Sequence, residues 1–389
     1  MPVLTELHFD SLAALAAEAE AQKAPISAVV LAAQARSTER SRQALYEQMR
    51  QNLEVMRESV RQGLAPGVKS ASGLSGGDAH RMAAAFAGGG AGLCGPALCG
   101  ALAKAVAVAE WNAAMGRIVA APTAGSCGIL PAAVLGAEEA LGLAEEPCVM
   151  ALFCAAGVGL VIAHNACLAG AQGGCQAECG SAAAMASAAL VELCGGTPAV
   201  ALSAVALTLK SMLGLVCDPV AGLVEIPCIK RNATATAIAF ACAEMALAGV
   251  ESAIPADEVV AAMKRVGDSM PAALKETAEG GLAATPTAQA LFEQVFGPAA
   301  QGAAPGGCAL RRRAQPPAAA PRAAHAGKRG RMAVQRKRDG KDFLCILSWV
   351  GRPQLHLSGS FFFVHSWGFL SPLAEPGGCF LQNETASCT

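Results

Sequence analysis

"ALFCAAGVGLVIAHN", residues 151–165, decides what kind of protein this is. From Ala151 to Ala163 it carries no charge, and it breaks at His164 and Asn165. A membrane-spanning helix needs about 20 apolar residues, and this run falls short. A second apolar run, "ATAIAFACAEMALAGV" at 235–250, is interrupted by Glu244. Both read as helices buried inside a bundle, hydrophobic nearly all round.

The rest of the chain agrees with that reading. Apolar residues make up 53% of the sequence, charged ones 15% and aromatics only 4%, so the interior is built of alanine and small aliphatics. Alanine is the best helix former and lets helices approach closely. Alternation of valine, isoleucine and threonine is rare. A mainly α protein is expected, with one helical catalytic domain over residues 1–297 and a low-complexity C-terminal tail over 298–389.

Charge divides at the same boundary. Residues 298–389 hold 12 Lys and Arg against 4 Asp and Glu, whereas the body holds 17 against 26. An acidic body gives no reason to invoke nucleic acid. The tail is rich in Pro, Ala and Arg as far as Lys341, then abruptly aromatic. It reads as a disordered or spurious extension.

The chain has 16 cysteines and no C-x-x-C. Zinc ribbons and thioredoxin-type chemistry therefore lack support. The first residues, "MPVLTELHFDSLAALAAEAEAQ", form an acidic amphipathic stretch without the basic start of a signal peptide. A cytoplasmic protein with free thiols is expected, and neither run above predicts a membrane anchor.

Read from the N-terminus, three helices fill residues 10–64, with Asp10 as the expected cap of the first. Leu45, Met49, Leu53, Met56, Val60 and Leu64 recur at helical spacing in the third. Further helices alternate with polar Gly/Ser/Cys/Pro loops at 69–78, 121–131, 164–181 and 216–233. Pro255 with Asp257 and Glu258 marks another helix start. Loops of this kind are where rigid scaffolds carry function, so the four are expected to converge on one site.

From residue type and spacing alone, the cysteines in these loops read first as core thiols. Their neighbours point the other way. Gly173 and Gly174 precede Cys175, Asp218 and Pro219 follow Cys217, and Pro227 precedes Cys228. Glycine and proline fix a backbone that aims sulfur into a cavity, and glycine exposes N–H groups that bond to cluster sulfides.

The stretches "SASGLSGGDAHRM", "NAAMGRIVAAPTAGSCGILPA", "GAQGGCQAECGSAAAMA", "LKSMLGLVCDPVAGLVEIPCIKRNA" and "GGLAATPT" resemble the α chain of the bacterial iron–sulfur-dependent L-serine dehydratases. The resemblance covers roughly residues 1–297. It implies a [4Fe–4S] cluster held by Cys175, Cys217 and Cys228, with one iron free of protein ligands. Cys179 is not counted among the ligands. That open iron would act as a Lewis acid on the hydroxyl of L-serine, and elimination would yield pyruvate and ammonia. No pyridoxal phosphate is implied, and no Ser-x-Lys-x-x-Gly signature of the pyridoxal enzymes occurs.

Within this frame the turn "APTAGSCG" at 121–128 has the composition of a carboxylate cradle. Thr123, Ser126 and the N–H groups of residues 125–128 are expected to receive the substrate carboxylate, as a helix start attracts anions. Without the resemblance, an ordinary Ser/Thr cap is the preferred reading. Ser72 is expected as a further substrate contact and Asn165 as a partner of the amino group. Lys230 and Arg231 are expected to neutralise negative charge or to cap a helix C-terminus. No catalytic base is assigned. The family's second component is absent from this sequence, so a separately encoded β chain and an oligomeric assembly are expected. The competing readings are an inactive cysteine-rich homologue and a lyase acting on threonine or another small hydroxy acid.

Overall fold

A computed structural model of the chain describes residues 9–87 and 92–297. The expectations for the tail over 298–389 fall outside the described residues. The described part is built of thirteen α-helices and holds no β-strand. Its first three are α1 (Leu12–Ala21), α2 (Ile26–Thr38) and α3 (Arg42–Gly63). There follow α4 (Asp78–Phe86), α5 (Gly95–Ala113), α6 (Ile129–Leu141), α7 (Glu145–Asn165) and the single turn α8 (Gly170–Gly173). The last five are α9 (Ser181–Leu193), α10 (Pro198–Met212), α11 (Cys228–Leu247), α12 (Ala256–Ser269) and α13 (Pro286–Phe296).

The opening stretch lies in α7, which is longer than its apolar run because the helix begins upstream at "EEPCVM". With 21 residues and a mean hydropathy of 2.0, it is long and apolar enough to cross a membrane. It is instead a core helix, with 72% of its most apolar window buried inside the protein. Small residues make this possible. A Cβ on Gly157 would stand 2.4 Å from Val30 Cγ2, so α7 and α2 meet closer than any larger residue would allow.

At the centre is α9, which packs against α6, α7, α10 and α11. Every residue from Ser181 to Val191 is buried, and eight of these eleven are alanine or serine, small enough for close contact with neighbouring helices. A polar face is missing because α9 has no exposed side.

Several helix starts are capped by side chains from elsewhere in the sequence. Ser11, and not Asp10, is the local cap of α1, accepting from Ala14 N at 3.0 Å. Asp257 of α12 reaches the same helix end, accepting from Leu12 N at 2.7 Å and Ala13 N at 3.0 Å. Glu110 of α5 accepts from Asp78 N and Ala79 N at the start of α4, and Glu192 of α9 accepts from Ser27 N at the start of α2. Carboxylates at positive helix ends satisfy donors that otherwise have no partner, and these three also lock distant helices together.

Candidate functional site

The turn at 121–128 connects α5 to α6 and is held from three sides. Asn112 Nδ2 donates to Ala124 O at 3.2 Å. Asn232, fully buried on α11, donates to Gly125 O at 2.8 Å and accepts from Gly128 N at 2.9 Å. The same amide also donates to Cys228 O at 2.9 Å, so one side chain ties the turn to a candidate ligand.

The hydroxyls of the turn are engaged inside the protein. Thr123 Oγ1 lies 2.8 Å from Ser126 Oγ and donates to Glu178 Oε1 at 2.5 Å. Ser126 N donates to Thr123 Oγ1 and Cys127 N to Ala124 O. The group facing the expected carboxylate cradle is thus a carboxylate of the protein itself. Glu178 went unremarked in the sequence, although it stands inside the quoted motif, three residues after Cys175. A charged residue between two cysteines was the available signal.

Cys175 precedes a π-helical turn, Gln176–Gly180, that runs directly into α9. The sequence read this stretch as loop. Gln176 pins it, donating to Met263 O and accepting from Gly214 N. Cys217 lies on an extended segment bridged to Lys275, with Cys217 N donating to Leu274 O and Glu276 N to Cys217 O. Cys228 opens α11. All three thiols are buried, at 2%, 3% and 7% exposure. Cys179 Sγ sits 3.3 Å from Cys175 Sγ.

These sulfurs share one electrostatic environment. Burial pushes the Cys217 and Cys228 thiols well up, and the nearby charges of Cys175, Glu178 and Glu276 push them further. Arg231 opposes that effect at Cys228. Burial likewise raises the carboxyl of Glu178, against the hydrogen bond from Thr123. Glu276 is pushed up to about 7 by burial and by Glu178.

Among the described residues no three Cys, His, Asp or Glu side chains close around a point as ligands of a single ion would. Glycine lets the neighbouring backbone approach one of these thiols closely. A Cβ on Gly170 would lie 2.9 Å from Cys217 Sγ. An all-thiol donor set is the kind that holds an iron–sulfur cluster.

Arg231 and Lys230 lie in the first turn of α11, so neither caps a helix C-terminus. Arg231 pairs with buried Asp218 at 2.8 Å and donates to Val216 O, while Asp218 Oδ2 accepts from Leu282 N. Lys230 pairs with Asp78 at the start of α4.

The loop at 69–78 lies on the other side of Pro227. Ser72 Oγ donates to Glu225 Oε1 at 2.8 Å and Ser75 Oγ to Glu225 Oε2 at 2.6 Å. Beside it is a cavity of about 460 Å³ whose edge carries Lys69, Arg81 and Lys230 against Asp78. Asn165 is elsewhere engaged. Exposed at the end of α7, its amide donates to Asp10 O and Val161 O.

The comparisons with known proteins follow the same residues. The family model for the serine dehydratase alpha chain matches residues 21–283. The "Probable L-serine dehydratase, alpha chain" of Bacillus subtilis (strain 168) is 51% identical over 272 residues, 70% of this chain and 90% of the relative. The "L-serine dehydratase, alpha chain" of Peptoniphilus asaccharolyticus is 52% identical over 204 residues, 52% of this chain and 70% of the relative. The "L-serine dehydratase" of Streptomyces coelicolor is 45% identical over 181 residues, which span 46% of this chain but only 40% of that protein.

Proposed function

The chain belongs to the serine dehydratase alpha chain family, whose members are L-serine dehydratases, and we propose that it is the cluster-holding subunit of an iron–sulfur L-serine ammonia-lyase. The reaction is loss of the α-proton and β-hydroxyl of L-serine. Aminoacrylate then rearranges to an imine and hydrolyses to pyruvate and ammonia.

One observation carries this reading. Three separate segments bring the buried thiols of Cys175, Cys217 and Cys228 into one electrostatic environment, with Cys179 beside the first. These three residues would hold a [4Fe–4S] cluster, which when bound supplies a Lewis-acidic iron for the substrate hydroxyl. Around it the chain's own residues do the positioning. Asn232 fixes the turn at 121–128 against Cys228, and Arg231 offsets the negative charge that collects near that thiol. Ser72 and Ser75 brace Glu225 beside the cavity that Lys69 and Lys230 line. The match to 90% of the Bacillus α chain, against 40% of the Streptomyces enzyme, supports a separate β chain completing the enzyme.

The test is anaerobic purification of the full chain with its β chain. Bound iron and sulfide near about four each per chain are expected, with pyruvate formed from L-serine and less from L-threonine. Zinc, or a cluster-loaded protein without turnover, overturns the proposal.

A further inference from the structure

Glu178 sits where the turn, the thiols and two glycines meet. A Cβ on Gly125 would fall 2.7 Å from its Oε1, and one on Gly170 would fall 3.3 Å from its Oε2. The same Gly170 position is 2.9 Å from Cys217 Sγ and 3.3 Å from Glu276 Oε2. The carboxylate is therefore clasped between two residues without side chains, and its Oε2 lies on the side shared with Cys217. Thr123 occupies Oε1, and among the described residues no hydrogen-bond donor occupies Oε2.

The charge around it is one-sided. A second carboxylate, Glu276, faces the same Gly170 position. Among the described residues Glu178 has no ion-pair partner. Arg231, at the start of α11, is already paired with Asp218. A partly buried carboxylate beside a second carboxylate repels anions and draws cations. L-Serine presents a carboxylate, a hydroxyl and an ammonium, and only the ammonium complements such a place.

We propose that Glu178 Oε2 receives the ammonium group of the substrate, with Thr123 and Ser126 orienting the carboxylate from behind. This deepens the proposed activity and rests on it. It also gives the turn at 121–128 a role: its hydroxyls act through Glu178, not on the substrate carboxylate.

The test compares L-serine with L-glycerate and 3-hydroxypropanoate, which keep a carboxylate and a β-hydroxyl but lack the ammonium. The full chain with its β chain is reconstituted anaerobically, and KM for L-serine and inhibition constants for the two analogues are measured. In Glu178→Gln, KM for L-serine is expected to rise about 10- to 100-fold, the scale of a charge-assisted hydrogen bond. Inhibition by the analogues should change less than about 3-fold, because they never used the carboxylate. Thr123→Val, which keeps the Glu178 carboxylate but removes the donor that orients it, is expected to raise the serine KM alone by about 3- to 10-fold. Equal weakening of serine and analogues in both variants overturns the proposal, as does an unchanged serine KM. If Glu178→Gln fails to load iron, the Thr123→Val pattern decides by the same criteria. A wild-type enzyme that loads iron but makes no pyruvate defeats instead the activity on which the proposal rests.

Discussion

The loops at 69–78 and 121–128 look alike in sequence, both small, glycine-bearing and set with hydroxyls, yet the structure uses them differently. Ser72 and Ser75 grip both oxygens of Glu225, and cations stand at the nearby cavity. Thr123 grips only one oxygen of Glu178, and thiols and a second carboxylate stand around it. A carboxylate with both oxygens satisfied is a brace. One left half-satisfied next to a second carboxylate is the proposed receptor for positive charge. The count of donors, not the composition of the loop, separates the two.

The largest effect that tests this contrast is on the thiol side. Replacing Cys175, Cys217 or Cys228 with Ala should remove iron and lower pyruvate formation by more than about 100-fold, beyond the loss expected from an outer partner. Iron analysis and turnover of the three variants check this. Loss confined to one of the three would break the shared role.

Asn232→Ala should come next. It strips partners from Gly125 O, Gly128 N and Cys228 O, at a cost of about 2–4 kcal/mol for buried groups left unpaired. Denaturant unfolding measures that loss. A stability change under about 0.5 kcal/mol would show that the turn is not held from α11.

Gly170→Ala adds one methyl group between Glu178, Glu276 and Cys217. Overpacking of about 1–3 kcal/mol is expected, together with a raised serine KM. The mirror experiment on the brace, Ser75→Ala, should lower stability by about 1 kcal/mol and leave the serine KM within about 3-fold of wild type. A larger KM effect at Ser75 than at Gly170 would invert the comparison.

The smallest effect concerns a third carboxylate, Glu192, which braces α2 through Ser27. Burial raises its carboxyl above the ordinary value near 4.3. The folded protein then binds more protons than the unfolded chain between the two values. Stability from this group is present below the unfolded value and is lost as pH rises through the folded one. Glu192→Gln should flatten that slope, by on the order of 1 kcal/mol or less, seen in melting temperatures compared at pH 4 and pH 7.

Much of the helical architecture was legible in the sequence. The periodicity of Leu45 to Leu64 gives the buried face of α3, and the start at Ile129 and the end near Phe296 fall where Gly128 and Gly297 bound the helices. The length of α7 was underestimated because "EEPCVM" reads as polar at its start. The π turn after Cys175 was invisible, since Gly173, Gly174 and Cys175 suggest a loop while Gln176 holds the segment helical through contacts with Met263 and Gly214. Asp10 was chosen as a cap by residue type, and Ser11 one position later takes the role.

What the sequence settled on its own is the class of the chain and its inventory: alanine-built helices, and thiols set beside glycine and proline in a recognisable order. Those properties are local, because propensity and motif spacing are carried by neighbouring residues. Only the tertiary structure decided that Thr123 answers to Glu178, Ser72 to Glu225 and the start of α1 to Asp257. Each pairing spans 55 to 245 residues of chain. Which donor meets which carboxylate depends on helices folding back on one another, and the charge left over in each pocket depends on that meeting alone.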